Sequence, residues 1–183
     1  MNYIVINKDE DAINSDGYGG TYFHEVGHLI DDYSDNFGST SNDKKYDFIG
    51  ALREDFENFV KKFEEDYSCS REEAYEYISE WLTNDQSMKS ALCDAIKGLS
   101  GSEIRANYSH DDSYYTDVTI AKETFANFFE AGMHYKTQPT MYIKEVFPTA
   151  YEVFKQMLFD RLKSTDSFEK AMDQAIFSPI IVV

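Results

Sequence analysis

Apolar side chains recur every three or four positions along most of this chain, the spacing of helices that bury one face. Between Lys44 and about Tyr67, the residues Phe48, Leu52, Phe56, Phe59 and Phe63 form one such stripe. Ser70 followed by Glu73 makes a capping box, in which each side chain accepts from the other's free backbone N–H, and it opens a second helix running through Leu82. A third helix is predicted over about Gln86 to Leu99, where "GLSGS" breaks it. Two more follow, from about Ile120 to His134 and from about Phe147 to Leu162. Near the start, the run "TYFHEVGHLIDDY" at 21 to 33 has Thr21 as a cap for a helix reaching about Tyr33. The polar runs "SDNFGSTSND" and "YSHDDSYYTD" predict loops.

Only the two ends read as strand. Tyr3 to Ile6 alternates and branches in the β manner, and the tail "SPIIVV" is apolar and β-prone, so the economical arrangement pairs the two. The expected fold is therefore mainly α (α+β), with a small sheet made by the N- and C-terminal segments. The chain has 183 residues and no internal repeat or low-complexity linker, which fits one domain over 1–183 with a sizeable core.

Charge narrows the function classes. With 34 acidic against 17 basic side chains the net charge is -17, which repels phosphate backbones and anionic lipid headgroups, so neither nucleic acid nor a membrane is expected as a partner. No stretch approaches the length of a membrane span. The opening "NYIVINKDED" lacks a basic leader, a long apolar core and a small-residue cleavage site, from which a cytoplasmic location without a signal peptide is expected. Cys69 and Cys93 have no metal-knuckle spacing and read as ordinary reduced thiols. Most of the 14 tyrosines and 14 phenylalanines fall at core spacings, with Trp81 as an anchor under the helices.

The chemistry sits in "HEVGH". His24 and His28 at i and i+4 share one helical face, so both imidazoles can converge on one metal ion, and Glu25 can reach a metal-bound water from the side. Gly27 inside the motif weakens the helix by about 1 kcal/mol relative to alanine, a cost that makes sense if another group approaches closely there. A catalytic zinc needs a third protein ligand and an open fourth position. Ser34 stands where the metzincin pattern has a third histidine, which excludes that class. His110, His134 and Glu123 remain as candidates. Glu123, Asn127, Glu130 and His134 form a polar stripe opposite Phe125, Phe128 and Phe129, and for Glu130 and His134 a solvated face is the favoured reading. Asp31 either orients an imidazole or faces water near the helix end.

"HEVGHLIDDY" followed far downstream by "ETFANFF" resembles the catalytic domain of the anthrax-lethal-factor-like metallopeptidases, and "FPTAYEVFKQM" resembles the helix after the ligand helix in that family. The resemblance implies a zincin-like helical domain in which His24, His28 and Glu123 hold zinc and Glu25 is the general base for peptide hydrolysis. In that family a tyrosine seven residues before the glutamate ligand stabilises the transition state. Here that position is Thr116, preceded by Tyr115 and Tyr114, and a one-residue insertion in the loop lets Tyr115 serve. Asn127 stands where the family has a second glutamate.

Residues 92 to 160, with "LCDAIKGLSG", "YSHDDSYY", "ETFANFFEAG" and "FPTAYEVFKQML" in order, are also similar to the C-terminal part of minor capsid or head-morphogenesis proteins of tailed phages. That likeness implies a phage or prophage head-associated protein, with peptide or protein substrates and phage head or portal proteins as partners, in the host cytoplasm or the virion. The competing expectation is a non-catalytic capsid component in which zinc only braces the fold. A secreted, toxin-like endopeptidase is a third, which the absent signal peptide argues against. Zincins place a sheet before the first histidine whose edge pairs with the substrate, and here Tyr3 to Ile6 with "IIVV" would do this, unless another chain or domain completes the cleft.

Overall fold

The computed structural model describes residues 4–6, 20–32, 39–134, 136–163 and 180–182. Among these, seven helices make an all-α body: α1 (Gly20–Asp32), α2 (Phe48–Tyr67), α3 (Arg71–Thr83), α4 (Gln86–Leu99), α5 (Asp117–Met133), α6 (Gln138–Val146) and α7 (Pro148–Lys163). At the two ends, β1 (Ile4–Ile6) and β2 (Ile180–Val182) run parallel, with Ile4 opposite Ile180. Tyr3, the turn-forming run up to 19, Tyr33 and Ser34 lie outside the described residues. No helix among the described residues is long and apolar enough to cross a membrane.

Helix α5 is the centre of the body. Ile120, Ala121, Glu123, Thr124, Phe125, Ala126, Asn127, Phe128 and Ala131 are all buried, so this helix is covered on nearly every side, the state of a core helix. The Phe128 ring lies 6.1 Å from Phe48, 6.1 Å from Phe147 and 5.7 Å from Phe154, which ties α2, the α6–α7 corner and α7 to α5 through edge-on and tilted aromatic contacts. The predicted stripe on α2 is the buried one: Phe48, Leu52, Phe56 and Phe59 all lie in the core.

Local capping boxes account for two of the helix starts. At α3, Glu73 N–H donates to Ser70 Oγ at 3.3 Å and Ser70 N–H to Glu73 Oε2 at 2.8 Å, the expected capping box. Helix α5 starts three residues earlier than expected, because Thr116 and Thr119 form a second box that its polar sequence context concealed. Helix α1 begins at Gly20, so Thr21 lies in its first turn rather than at the cap. Helix α6 has no counterpart in the sequence reading. Its nine residues bury only Pro139, Ile143 and Val146, too few apolar repeats to show a period. Buried Asp55 on α2 accepts from the Ala150 N–H at 2.8 Å and so caps the start of α7 from across the core. The two cysteines are free thiols, and burial pushes Cys93 up to about 12.

Gly27 explains itself in the packing of α1 on α5. A Cβ at Gly27 would stand 2.8 Å from Ala126 Cα and 3.1 Å from Ala126 O, so only glycine lets the two backbones approach this closely. Gly27→Ala gains about 1 kcal/mol of helix propensity but forces α1 off a backbone that cannot rotate away, an overpacking cost of about 1–3 kcal/mol. The variant is expected to melt several degrees lower in a thermal scan by circular dichroism. An unchanged or higher midpoint would mean the helices separate freely.

Candidate metal centre

Three side chains distant in sequence meet where α1 crosses α5. His24 and His28 lie one turn apart on α1, and Glu123 sits in the second turn of α5. Glu123 Oε2 is 3.3 Å from the Nε2 of each histidine, and the two Nε2 atoms are 3.1 Å apart. Donors held about 2.0–2.1 Å from a four-coordinate ion stand about 3.3 Å from one another, so this near-equilateral triangle has the dimensions of three corners of a tetrahedral site. The imidazoles are 19% and 23% exposed whereas Glu123 is 5% exposed, which leaves the histidine side of the triangle open to solvent.

The donor chemistry fits a cation. Glu123 Oε2 is buried and meets hydrogen-bond geometry with no neighbour, although both imidazole Nε2 atoms stand 3.3 Å from it. A desolvated carboxylate oxygen in that state is costly unless a positive charge meets it, which a proton on His24 supplies in the metal-free state and a metal ion held by both rings would supply in its place. The other oxygen is provided for, because the Tyr114 hydroxyl donates to Oε1 at 2.5 Å. The His24, His28 and Glu123 cluster can therefore hold a metal ion, with one carboxylate oxygen directed to it.

Charges around the cluster reinforce its polarity. Burial alone would lower the His24 pKa, but the carboxylates of Glu123 and Glu130 outweigh it and raise it to about 10. For Glu123, burial opposes ionisation, and the two imidazoles with the Tyr114 hydroxyl overcome it and hold the carboxyl well below the usual range. Burial and then Glu123 push the Tyr114 hydroxyl up, so it stays a proton donor.

The remaining candidates fall as follows. Glu25 is half-buried on α1, one residue on from His24, and makes no hydrogen bond or ion pair among the described residues. Tyr115 donates to Asp94 Oδ1 at 2.7 Å rather than to Glu123, while Thr116 caps α5. His110 Nδ1 is 3.0 Å from Asp94 Oδ1, and the His134 Nδ1 accepts from the Lys136 N–H at 3.0 Å. Asp31 meets neither an imidazole nor water. It is fully buried and accepts from the Ser41 N–H and Oγ–H, both at 2.7 Å, pinning the segment after α1.

Glu130, expected on a solvated face, instead has Oε2 3.6 Å from His24 Nδ1, where it steadies the ring from behind. Its i+7 spacing from Glu123 was the signal in the sequence. A recess of about 220 Å³ opens beside His24 between α1, α4 and α5, with Ser87, Ser90, Tyr108, Asn127 and Glu130 on its walls. No known protein family, curated protein or solved structure matches this chain.

Burial raises the Asp31 pKa from 3.8 to about 6 against the opposing Ser41 hydrogen bonds. Because the native state holds this proton more tightly than the unfolded chain, the contribution of Asp31 to stability is greatest below about pH 4. It falls as pH rises to about 6, by roughly 3 kcal/mol at most, and is flat above that. Asn at this position can accept from the Ser41 N–H and donate to its Oγ without ionising. Asp31→Asn is therefore expected to gain stability relative to wild type between pH 4 and pH 7 in urea titrations, and a pH-independent difference would show that Asp31 is not titrating in that window.

Proposed function

We propose that this chain is a zinc-dependent metallopeptidase of zincin-like design, in which His24, His28 and Glu123 hold the ion and Glu25 moves the proton. The observation that carries the reading is the buried Glu123 Oε2, without a hydrogen bond and equidistant from two imidazole nitrogens. Two nitrogens and one carboxylate oxygen in this spacing form the donor set of a catalytic zinc, which keeps its fourth position for chemistry.

When bound, zinc supplies Lewis acidity, bringing the pKa of water near neutrality and polarising a carbonyl oxygen. Glu25, half-buried one residue on from His24, takes a proton from the attacking water and returns it to the leaving amine. The Tyr114 hydroxyl, already at the cluster through Glu123 Oε1, is the donor for the oxyanion that develops on the peptide carbonyl. This reading assigns the role to Tyr114, whose hydroxyl lies at Glu123 and turns its one proton from Oε1 to the oxyanion, rather than to Tyr115, whose hydroxyl is held on Asp94. Glu130 keeps the His24 ring in register from its Nδ1 side. An extended peptide would lie along the edge of the β1–β2 pair. The likeness of residues 92 to 160 to phage head-morphogenesis proteins makes head or portal proteins the first substrates to try, and a host-cell or virion location the corresponding setting.

A second reading has one observation in its favour. The ligands come from two helices at their tightest crossing, so an ion there would also brace α1 against α5, as a structural capsid component would need. Glu25 separates the two. Elemental mass spectrometry on protein purified without added metal is expected to give near-stoichiometric zinc, lost in both Glu123→Ala and Glu123→Gln. Glu25→Gln is expected to keep the zinc and lose at least about a hundredfold in cleavage of a peptide library. Folded wild type without zinc would sink the metal reading. Zinc with cleavage unaffected by Glu25→Gln, or with no cleavage by wild type, would leave only the brace.

A further inference from the structure

Asp94, on the last two turns of α4, is the most heavily bonded side chain near the cluster that the proposed chemistry does not use. It is 6% exposed. Its Oδ1 accepts from the His110 backbone N–H at 3.0 Å and the Tyr115 hydroxyl at 2.7 Å, and stands 3.0 Å from His110 Nδ1. Its Oδ2 accepts from Asn127 Nδ2 at 3.2 Å, and Asn127 follows Glu123 by one turn of α5. One carboxyl group thus joins α4, α5 and the loop before α5, using both of its oxygens.

What this joint carries is Tyr114. The Tyr114 ring stacks on His110, with centroids 4.0 Å apart and planes at 13°, and its hydroxyl reaches Glu123 Oε1. One turn beyond Asp94, Lys97 Nζ grips the same loop through His110 O at 2.8 Å and Asp112 at 3.0 Å. Gly98 makes room for the neighbouring ring, since a Cβ there would stand 2.8 Å from Tyr115 Cδ1. The far end of the loop is fixed separately, by Thr119 Oγ1 donating to Tyr114 O at 2.8 Å.

Asp94, His110 and Glu123 also bring one donor atom each within 4.8 Å of one another. A second metal ion there is the weaker alternative, because Asp94 Oδ1 already meets the His110 N–H and the Tyr115 hydroxyl and Oδ2 already accepts from Asn127.

We infer that Asp94 is a positioning residue for the metal centre: by locking the His110–Tyr115 loop it keeps the Tyr114 hydroxyl on Glu123 Oε1 and so reserves Oε2 for the ion. This rests on the reading of His24, His28 and Glu123 as the metal ligands. Without Asp94 the loop keeps only the Lys97 contacts on α4, the His110 ring that stacks on Tyr114 loses its carboxylate partner, Tyr114 leaves Glu123, and Glu123 is free to turn. Outer residues that orient a ligand in this way change metal affinity by about ten- to a hundredfold.

The test is zinc affinity, measured by competition with a chromogenic chelator, in wild type, Asp94→Ala, Tyr114→Phe and the double variant. Each single variant is expected to bind zinc about ten- to a hundredfold more weakly, and the double no more weakly than the worse single, since both break one chain of contacts. If wild type binds no zinc, the ligand reading falls and this inference with it. If wild type binds zinc and folded Asp94→Ala binds equally well, or if the two losses add in full, Asp94 does not act through Tyr114 and the inference alone is overturned. Should Asp94→Ala fail to fold, Tyr115→Phe removes one bond of the joint and leaves the ligands and Tyr114 in place. A few-fold loss that vanishes in the Tyr114→Phe background supports the joint, and full affinity or additivity overturns it.

Discussion

Helices α1 and α5 cross so closely that one added methyl group at Gly27 would strike the backbone of Ala126, and everything at the candidate centre depends on that contact. The histidines belong to one helix and the glutamate to the other. A slightly wider crossing would carry Glu123 out of reach of both rings, because side-chain length cannot make up for separated backbones. The same contact buries Glu123, so the approach that assembles the donors also strips them of water. Loss of packing at Gly27 and loss of the centre are therefore one event rather than two.

The electrostatics follow from that burial. An acid inside a core of phenylalanines is normally costly, and this one is retained with a hydrogen bond on one oxygen and none on the other. Elsewhere among the described residues, buried acids are given donors: Asp55 Oδ2 accepts from the start of α7, and both Asp31 oxygens accept from Ser41. Against those neighbours the uncommitted oxygen of Glu123 stands out as a position shaped by something other than stability.

How much of this was legible depended on distance along the chain. The α2 stripe, the Ser70 capping box and the pairing of His24 with His28 are local patterns, and helical periodicity alone exposes them. The purpose of Gly27 was readable as a close approach but not its partner, since Ala126 is named only by the packing of α1 on α5. Glu123 lay in an ordinary polar stripe and was singled out by resemblance. Glu130 lay in the same stripe and was taken for a solvated residue, because the stripe does not reveal which of its members another helix covers. Tyr114 and Tyr115 are adjacent and chemically alike. Their different partners, Glu123 for Tyr114 and Asp94 for Tyr115, come from the short 3-10 turn at Asp112–Tyr114 and from Asp94 on α4, neither of which leaves a periodic trace.

His28 and Glu123 stand about 95 positions apart, so bringing them together closes a long segment of chain. In the chain-entropy account, a link across a loop of that length corresponds to about 4–5 kcal/mol of lost denatured-state freedom. Here the aromatic packing around Phe128 and the Gly27 contact close the loop themselves, and an arriving ion finds its ligands already gathered. The unfolded chain offers only scattered donors with no comparable affinity. Whatever free energy an ion gained on binding there would therefore be added to the stability of the folded state, and resistance to unfolding would then depend on the metal concentration around the protein.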